Sequence, residues 1–248
     1  MTLQEFFTLH PKTALAFSGG VDSAYLLWAA RHWGAEIQPY LVRTQFQPAF
    51  EVDDARRVCR ELGCSLRIIE LDILADETVR SNPPRRCYHC KHRLLGAILD
   101  AARRDGYDLV LDGTNASDDA GDRPGMAALQ ELQVCSPLLE AGLTKAQIRQ
   151  LSREASLFTW DKPAYACLAT RIPTGTAIKR ADLNRVARAE DTLRALGFRD
   201  FRVRLRGDTA LLQILQAQMP RLLEQRSQIL AALRPDFSHI CLDLEARP

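Results

Sequence analysis

The stretch Ser18-Gly19-Gly20-Val21-Asp22-Ser23 lies between an apolar run at residues 13–17 and a segment of helical composition at residues 24–33. This order predicts a strand, a Gly-rich turn and a helix. The backbone N–H groups of such a turn point into one concavity, where the helix dipole adds partial positive charge. We therefore expect a phosphate site, in which Ser18 and Ser23 add hydroxyl donors and Asp22 orients the loop or a metal-bound water.

This loop differs from a Walker loop, which requires a lysine directly before its serine or threonine. Asp22 stands in that place before Ser23. The sequence therefore argues against transfer of a γ-phosphate. A tight turn without a ligand is the alternative interpretation of Gly19 and Gly20, and the position after the first strand favours the functional one.

Strands and helices alternate along most of the remaining chain. Strands are predicted at residues 37–42, 65–71 and 109–111, and helices at residues 50–62, 94–104 and from Thr144 onward. This alternation predicts an α/β fold, an open parallel sheet with helices on both faces.

The pattern changes in the last part of the chain. Helices are predicted at residues 181–196 and 222–233, and strands at residues 201–205, 210–215 and 240–244. These elements predict a small α+β C-terminal unit. Residues 172–179 interrupt the periodicity, so we expect a nucleotide domain at residues 1–175 and a substrate or oligomerisation domain at residues 176–248.

Asp112-Gly113-Thr114-Asn115 follows the fourth predicted strand. In an open α/β sheet the carboxyl ends of the strands line the ligand crevice. We therefore expect Gly113, Thr114 and Asn115 to face the same nucleotide as the first loop. A simple turn is the alternative interpretation of these residue types.

Cys87-Tyr88-His89-Cys90 is a C-x-x-C pair, which we expect in a loop before the helix at residues 94–104. The pair indicates a clip for a metal or a cluster rather than a thioredoxin motif, which would accompany a βαβ unit. Two thiolates complete neither a tetrahedral zinc site nor an iron–sulfur cluster. The candidates for further ligands are His89, His92 and, above these, Cys167.

Cys167 lies in a loop-like segment with cationic residues on both sides, Lys162 and Arg171, which should favour the thiolate. A small buried core residue is the alternative interpretation. The other four cysteines lie in or beside apolar runs and are assigned to packing: Cys59, Cys64, Cys135 and Cys241.

The bulk composition is that of a soluble globular protein, with 46% hydrophobic and 26% charged residues over 248 residues. The formal net charge is only +2, so the chain as a whole carries no nucleic-acid footprint. The amino terminus lacks the pattern of a signal peptide, and no apolar run approaches membrane-spanning length. The chain has an odd number of cysteines, seven. We expect a cytoplasmic protein without a disulfide framework and without nucleic-acid or membrane partners.

The loop SGGVDS resembles the pyrophosphate loop of the N-type ATP pyrophosphatases, whose fold is adenine nucleotide alpha hydrolase-like. That resemblance implies cleavage of ATP, with Mg²⁺, between the α- and β-phosphates. Further segments occur in one order over nearly the whole chain: SGGVDS, RCYHCK, DGTN, W-x-KPA-x-ACLATRIP-x-G and R-V-R-x-x-G. Together they resemble the LarE family of ATP-dependent sulfur transferases.

The LarE resemblance implies that the carboxylates of pyridinium-3,5-biscarboxylic acid mononucleotide are adenylated and converted to thiocarboxylates for the nickel-pincer nucleotide cofactor of lactate racemase. In that family some members sacrifice the thiol of the cysteine that matches Cys167. Others hold a [4Fe–4S] cluster on three cysteines, and Cys87, Cys90 and Cys167 match these positions. The cluster is the preferred interpretation, the sacrificial route an alternative, and zinc a weaker third. The resemblance also implies a homo-oligomer, a hexamer.

A substrate with one phosphate and two carboxylates requires cationic ligands, and arginine provides bidentate contacts. Arg171, Arg202 and Arg204 are the candidates, and Arg202 and Arg204 share one face of a predicted strand. Glu190 matches a family position that would contact substrate or metal, although a helical glutamate is equally expected in solvent. A solvated strand face is the alternative interpretation of the two strand arginines.

Two rival functions remain. A tRNA thiolase would combine the same loop and three cysteines, but the near-neutral charge argues against it. A nucleotide-binding metal or redox sensor would bind ATP without turnover, and release of pyrophosphate would distinguish it.

Overall fold

The computed structural model describes residues 1–118, 123–245 and 247. Contacts divide the chain into two compact units, residues 1–73 with 85–162 and residues 74–84 with 163–248. These units divide the chain at residue 162, whereas the functional boundary after residue 175 stays a prediction.

The strands fall into two sheets. They are β1 (Lys12–Ala16), β2 (Glu36–Arg43), β3 (Arg67–Glu70), β4 (Val110–Leu111), β5 (Arg202–Arg206), β6 (Thr209–Gln213) and β7 (His239–Leu242). Within the described residues, the first sheet has the order β3-β2-β1-β4, and the second has the order β5-β6-β7.

The helices lie around the first sheet and beside the second. They are α1 (Leu3–Leu9), α2 (Val21–His32), α3 (Ala49–Glu61), α4 (Glu77–Arg80), α5 (Arg86–Arg104), α6 (Arg123–Glu131), α7 (Pro137–Glu140), α8 (Lys145–Glu154), α9 (Arg180–Ala195), α10 (Met219–Glu224) and α11 (Arg226–Leu233).

The first sheet is parallel throughout, as predicted. Side chains alternate across β1, so that Leu15 packs with α2 and α3 on one face while Ala14 packs with α5 on the other. Both faces are therefore covered by helices, which explains why β1 and β2 read as apolar runs. The parallel order also places the carboxyl ends of β1 and β4 side by side.

The second sheet confirms the predicted α+β unit. Strands β5 and β6 form an antiparallel pair, with Val203 opposite Leu212, and β7 runs parallel to β6. The helix predicted at residues 222–233 is divided into α10 and α11, because the chain leaves helical geometry at Gln225.

The short segment of residues 74–84 belongs to the second unit. The buried side-chain amide of Asn82 donates to the carbonyls of Pro173 and Thr176, at 2.8 and 3.1 Å. The backbone N–H of Gly175 donates in return to the carbonyl of Asn82 at 2.8 Å. These bonds join the segment to the loop before α9.

Candidate active site

The loop of residues 18–20 connects β1 directly to α2, as predicted. Gly19 has a φ of +72°, and a Cβ atom there would approach the Cα and Cβ of Ala55 to 2.9 Å. Glycine is therefore required by both the backbone conformation and the close approach of α3. Ser23 Oγ donates to the carbonyl of Gly20 at 3.3 Å, and the Ser18 and Ser23 hydroxyls lie 3.1 Å apart. The loop is thus ordered by its own hydroxyls at the amino end of a helix, where anions bind.

The loop after β4 contacts the loop after β1. A Cβ atom at Gly113 would lie 3.1 Å from the Ser23 nitrogen and 3.3 Å from the Asp22 Cβ, so the two backbones meet closely. The side-chain amide of Asn115, which is buried, donates to Asp22 Oδ1 at 3.4 Å. Thr114 donates its hydroxyl to Asp112. The structure therefore brings together the two segments that the sequence predicts at one site.

Lys145 adds a cation to this site. It is the first residue of α8, which Thr144 caps in a capping box with Gln147. The Lys145 ammonium donates to Asp22 Oδ2. Burial raises the pKa of the Asp22 carboxyl, and the bond from Lys145 acts against that increase. The capping pattern indicated the helix start in the sequence, but not that its first side chain reaches Asp22.

Lys162 is a second cation at this loop, and its sequence neighbours did not indicate that position. Its ammonium lies 2.7 Å from Asp54 Oδ2 and donates to the carbonyl of Gly19 at 3.4 Å. Its position in the W-x-KPA segment was the available signal. Lys145 and Lys162 therefore contact the loop of residues 18–23 at two points.

Cys87 and Cys90 lie within α5, so the prediction of a loop for this pair was wrong. No proline follows Pro84 until the end of α5, and Leu95 and Ile98 contribute to its buried face. Residues three apart lie on the same side of a helix, which directs both thiols to one surface. Arg86 donates to the Cys87 sulfur at 3.5 Å, and the Cys87 side chain is exposed.

The cysteine donor set matches iron–sulfur chemistry, which requires thiolates rather than disulfides. The cysteines of the described residues form no disulfide bonds, and Cys167, which belongs to the second unit, is partly exposed. Among the described residues, no three His, Cys, Asp or Glu side chains form a group that could hold a metal ion. The pair on α5 thus fits as two ligands of a cluster whose third ligand must come from elsewhere.

In the second unit, Cys167 directly precedes a turn of 3-10 helix at Leu168–Arg171. The Arg171 guanidinium donates to the carbonyl of Ala166 at 2.9 Å and to that of Cys167 at 3.4 Å. Its third contact from the same nitrogen is the Thr170 hydroxyl at 2.7 Å. The Arg171 side chain therefore holds the backbone carbonyls of Ala166 and Cys167, on either side of the Cys167 α-carbon.

Glu190 compensates the charge of Arg171 inside this unit. Nε of Arg171 donates to Oε1 at 2.7 Å and Nη2 donates to Oε2 at 3.2 Å. Glu190 also accepts from the Tyr165 hydroxyl and from the backbone N–H of Val203. Burial raises the pKa of Tyr165, and the nearby Glu190 charge raises it further. The solvated interpretation of Glu190 was wrong, because its carboxylate receives four donors in the interior.

Arg202 and Arg204 also contact the segment that contains Cys167. Arg202 donates to the carbonyl of Ala164 at 2.8 Å, and Arg204 donates to that of Thr170 at 2.6 Å. Burial lowers the pKa of both guanidinium groups, and the positive charge of Arg171 lowers it further. Their common strand face, predicted from the sequence, is thus directed at the Cys167 segment rather than at solvent. Their role as substrate ligands, like that of Arg171, stays a prediction.

Comparison with known proteins identifies the family. No protein-family model matches the chain. The pyridinium-3,5-bisthiocarboxylic acid mononucleotide synthase of Lactiplantibacillus plantarum, LarE, is 31% identical over 94% of this chain and 86% of its own length. This chain belongs to the LarE family. It is therefore an enzyme, and the resemblance stated from its motifs is confirmed.

Two further relatives are similar to this chain. An uncharacterized protein of Synechocystis sp. is 32% identical over 98% of this chain and 92% of its own length. The tRNA-specific 2-thiouridylase MnmA of Pseudothermotoga lettingae is 23% identical over 61% of this chain and 54% of its own length. Together with the parallel sheet, these similarities confirm a fold of the pyrophosphate-loop type.

The residues predicted from the sequence to form the site fall into two groups. Ser18, Gly19, Gly20, Asp22 and Ser23 meet the loop Gly113-Thr114-Asn115 in the first unit, where Cys87 and Cys90 also lie. Cys167, Arg171, Glu190, Arg202 and Arg204 meet in the second unit.

In the described part of the chain, no helix is both long and apolar enough to span a bilayer.

Proposed function

We propose that this enzyme uses ATP and Mg²⁺ to adenylate pyridinium-3,5-biscarboxylic acid mononucleotide and then converts each activated carboxylate to a thiocarboxylate. The observation that carries the proposal is the contact between the loops after β1 and β4, where Asn115 meets Asp22 beneath a helix N-terminus. A relative that is named as a synthase of the bisthiocarboxylic acid mononucleotide supports the choice of substrate.

In the adenylation step, a substrate carboxylate oxygen attacks the α-phosphorus of ATP, and pyrophosphate leaves. This step needs hydrogen-bond donors for the departing pyrophosphate. The loop of residues 18–23 offers backbone N–H groups and two hydroxyls, those of Ser18 and Ser23. Lys145 and Lys162, which contact Asp22 and the Gly19 carbonyl, supply positive charge beside that loop. Asp22 holds Lys145 in place and is the candidate for orienting a hydrated Mg²⁺ ion.

In the sulfur step, the acyl-adenylate carbon accepts a sulfur nucleophile and AMP leaves. Cys87, Cys90 and Cys167 would hold a [4Fe–4S] cluster, and this cluster would supply the sulfur nucleophile. The buried Arg171–Glu190 pair fixes the backbone at Cys167. Arg202 and Arg204 are proposed to contact the phosphate or a carboxylate of the mononucleotide in addition to their present carbonyl partners.

One experiment tests both steps. The protein is purified without oxygen, its visible spectrum and iron content are recorded, and it is incubated with ATP, Mg²⁺ and the biscarboxylic mononucleotide. We expect substrate-dependent release of pyrophosphate, several turnovers and an unchanged protein mass. Absence of pyrophosphate release would reject the adenylating function and favour a nucleotide sensor. A tRNA transcript, tested as an alternative substrate, checks the rival function of a tRNA thiolase.

The mass of the intact protein separates the two sulfur routes. Loss of the elements of one hydrogen sulfide at Cys167 would establish the sacrificial route. The partial exposure of the Cys167 thiol also permits this route. A colourless, iron-free protein that still forms product would reject the cluster while leaving the adenylating function intact.

A further inference from the structure

Cys59 and Cys64 occupy two special positions at the end of α3. The backbone N–H of Cys64 donates to the carbonyl of Cys59 at 2.9 Å, and the backbone N–H of Gly63 donates to the carbonyl of Arg60 at 3.1 Å. Gly63 has a φ of +62°. These two bonds and the left-handed glycine define a Schellman motif, in which the side chains at the Cys59 and Cys64 positions characteristically touch.

The two thiols belong to neighbouring side chains of this motif. The Cys64 thiol donates to the Cys59 carbonyl at 3.5 Å, and the interaction between the two thiols shifts the pKa of each in opposite directions. A disulfide requires two α-carbons within about 4.4–6.8 Å and sulfurs about 2 Å apart. Because a Schellman motif brings these two side-chain positions together, we expect rotation of the two side chains to bring the sulfurs within bonding range.

The surroundings distinguish the two thiols. Both line a surface cavity of about 500 Å³, together with Arg60 and with Arg56, which pairs there with Asp53 at 3.3 Å. Cys64 is partly exposed in this cavity, whereas Cys59 is buried. The hydrogen bond from Cys59 lowers the pKa of the Cys64 thiol, and the positive charge of Arg31 lowers it further. The same interaction, with burial, raises the pKa of Cys59. Cys64 is thus the accessible nucleophile, and Cys59 is its protonated neighbour.

This cavity is separate from the nucleotide loop. Helix α3 connects the carboxyl end of β2 to the amino end of the parallel strand β3. Its last turn therefore lies at the amino edge of the sheet, while the loop of residues 18–23 lies at the carboxyl edge. The cysteine pair has no part in the proposed sulfur transfer.

We propose that Cys59 and Cys64 form a thiol–disulfide exchange site for a soluble, carboxylate-bearing disulfide. The Cys64 thiolate attacks one sulfur of the disulfide, whose S–S bond breaks and releases one thiolate. The Cys59 thiol then loses its proton to solvent and attacks the Cys64 sulfur, which releases the second thiolate. The protein pair is oxidised by two electrons to a disulfide, and the small disulfide is reduced to two thiols.

Oxidised glutathione is the probe, and it is added to the reduced full-length protein without oxygen. Peptide mass mapping is expected to find a Cys59–Cys64 bridge. Cys59→Ser should stop at a mixed disulfide, with one glutathione on Cys64. Cys64→Ser should carry neither a bridge nor an adduct at Cys59, because the remaining thiol is buried. Circular dichroism of both variants checks that the fold is kept.

The sequence assigned Cys241 to packing, which was wrong, because its side chain is exposed, and it provides the internal reference for non-specific reaction. The proposal is overturned if wild-type protein forms an adduct at Cys241 while Cys59 and Cys64 both stay reduced. It is also overturned if Cys59 reacts as fast in Cys64→Ser as Cys64 does in Cys59→Ser. Both results are independent of pyrophosphate release, so they do not test the proposed enzymatic function.

Discussion

Arg171 and Glu190 form a two-point ion pair in the interior of the second unit, with Nε 2.7 Å from Oε1 and both side chains almost fully buried. The same arginine holds the carbonyls of Ala166 and Cys167. Removal of one partner leaves an uncompensated charge in the interior, whereas the intact pair satisfies both groups. The pair therefore links the stability of this unit to the position of the Cys167 sulfur.

Glu190→Gln is expected to lower the free energy of unfolding by about 3–5 kcal/mol, the usual effect of breaking a buried ion pair. Urea denaturation measures this change. Asp191→Asn is the matched control on the same helix, because Asp191 pairs with Arg194 at an exposed site. Exposed pairs contribute about 0–1 kcal/mol, so equal losses for the two variants would contradict the assignment.

Asp22→Asn is expected to raise the unfolding temperature at neutral pH. Burial raises the pKa of the Asp22 carboxyl, so the folded protein binds this proton more readily than the unfolded chain. Stability due to Asp22 consequently falls as the pH rises from the ordinary aspartate pKa through the raised one. The advantage of the variant should be full above the raised pKa and should disappear below the ordinary one.

The same Asp22→Asn variant should release pyrophosphate more slowly, because an amide does not balance Lys145. Asp53→Asn is the control, since Asp53 is an exposed partner of Arg56. A thermal advantage of Asp22→Asn that is constant from acid to neutral pH would contradict the role of burial at this carboxyl.

Gly113→Ala is expected to reduce adenylation strongly, because its Cβ atom would press on the Ser23 nitrogen and on Asp22. The Ser23 nitrogen is a backbone atom and the Asp22 Cβ is fixed to the backbone, so neither can move aside. The loop after β4 must therefore separate from the loop after β1. ATP-dependent pyrophosphate release measures the effect. Gly96→Ala in α5 meets no atom within 4 Å and is expected to gain about 0.5–1 kcal/mol of stability with unchanged activity. Full activity of Gly113→Ala would refute the close contact of the two loops.

Cys87→Ser and Cys90→Ser are each expected to lower the iron content and to end multiple turnover, while pyrophosphate is still released. Iron analysis and product counts per protein measure this. Cys241→Ser, an exposed cysteine in the second unit, is the control. Unchanged iron and turnover in both helix variants would remove these residues from the cluster.

Asn82→Gly and Asn82→Ala separate two effects at one residue. Asn82 has a φ of +57°, and its amide holds two carbonyls of the loop before α9. Both variants lose these bonds, which should lower the free energy of unfolding by about 1–3 kcal/mol. Alanine should lose about 1–2 kcal/mol more, because only glycine adopts this backbone conformation without strain. Equal urea midpoints for the two variants would show that the positive φ has no energetic consequence.

The sequence predicted those parts of the site that follow from the topology of parallel strands. SGGVDS and DGTN follow adjacent strands, so their meeting requires only that β1 and β4 pair. Lys145 and Lys162 were missed because long side chains reach the loop only after α8 and the chain beyond it have packed on α2. No local pattern records such distant contacts.

The interior position of Arg171 could not be predicted from its neighbours, since arginines are mostly exposed and its partner lies 19 residues later. The helix at Cys87 was missed for a different reason. The residues around it are polar, and the apolar face of α5 becomes regular only from Leu94 onward. Packing against the sheet extends the helix toward Pro84.

Residues 74–84 have a consequence for synthesis on the ribosome. They leave the ribosome before residues 85–162 of the first unit, yet their partners, Pro173, Gly175 and Thr176, are made almost a hundred residues later. Domains generally fold from the amino terminus at the pace of translation, about 5–20 residues per second. This segment must therefore wait several seconds before Val79 and Asn82 are buried in the second unit. We expect nascent chains that pause between these positions to be the ones most exposed to chaperones and proteases.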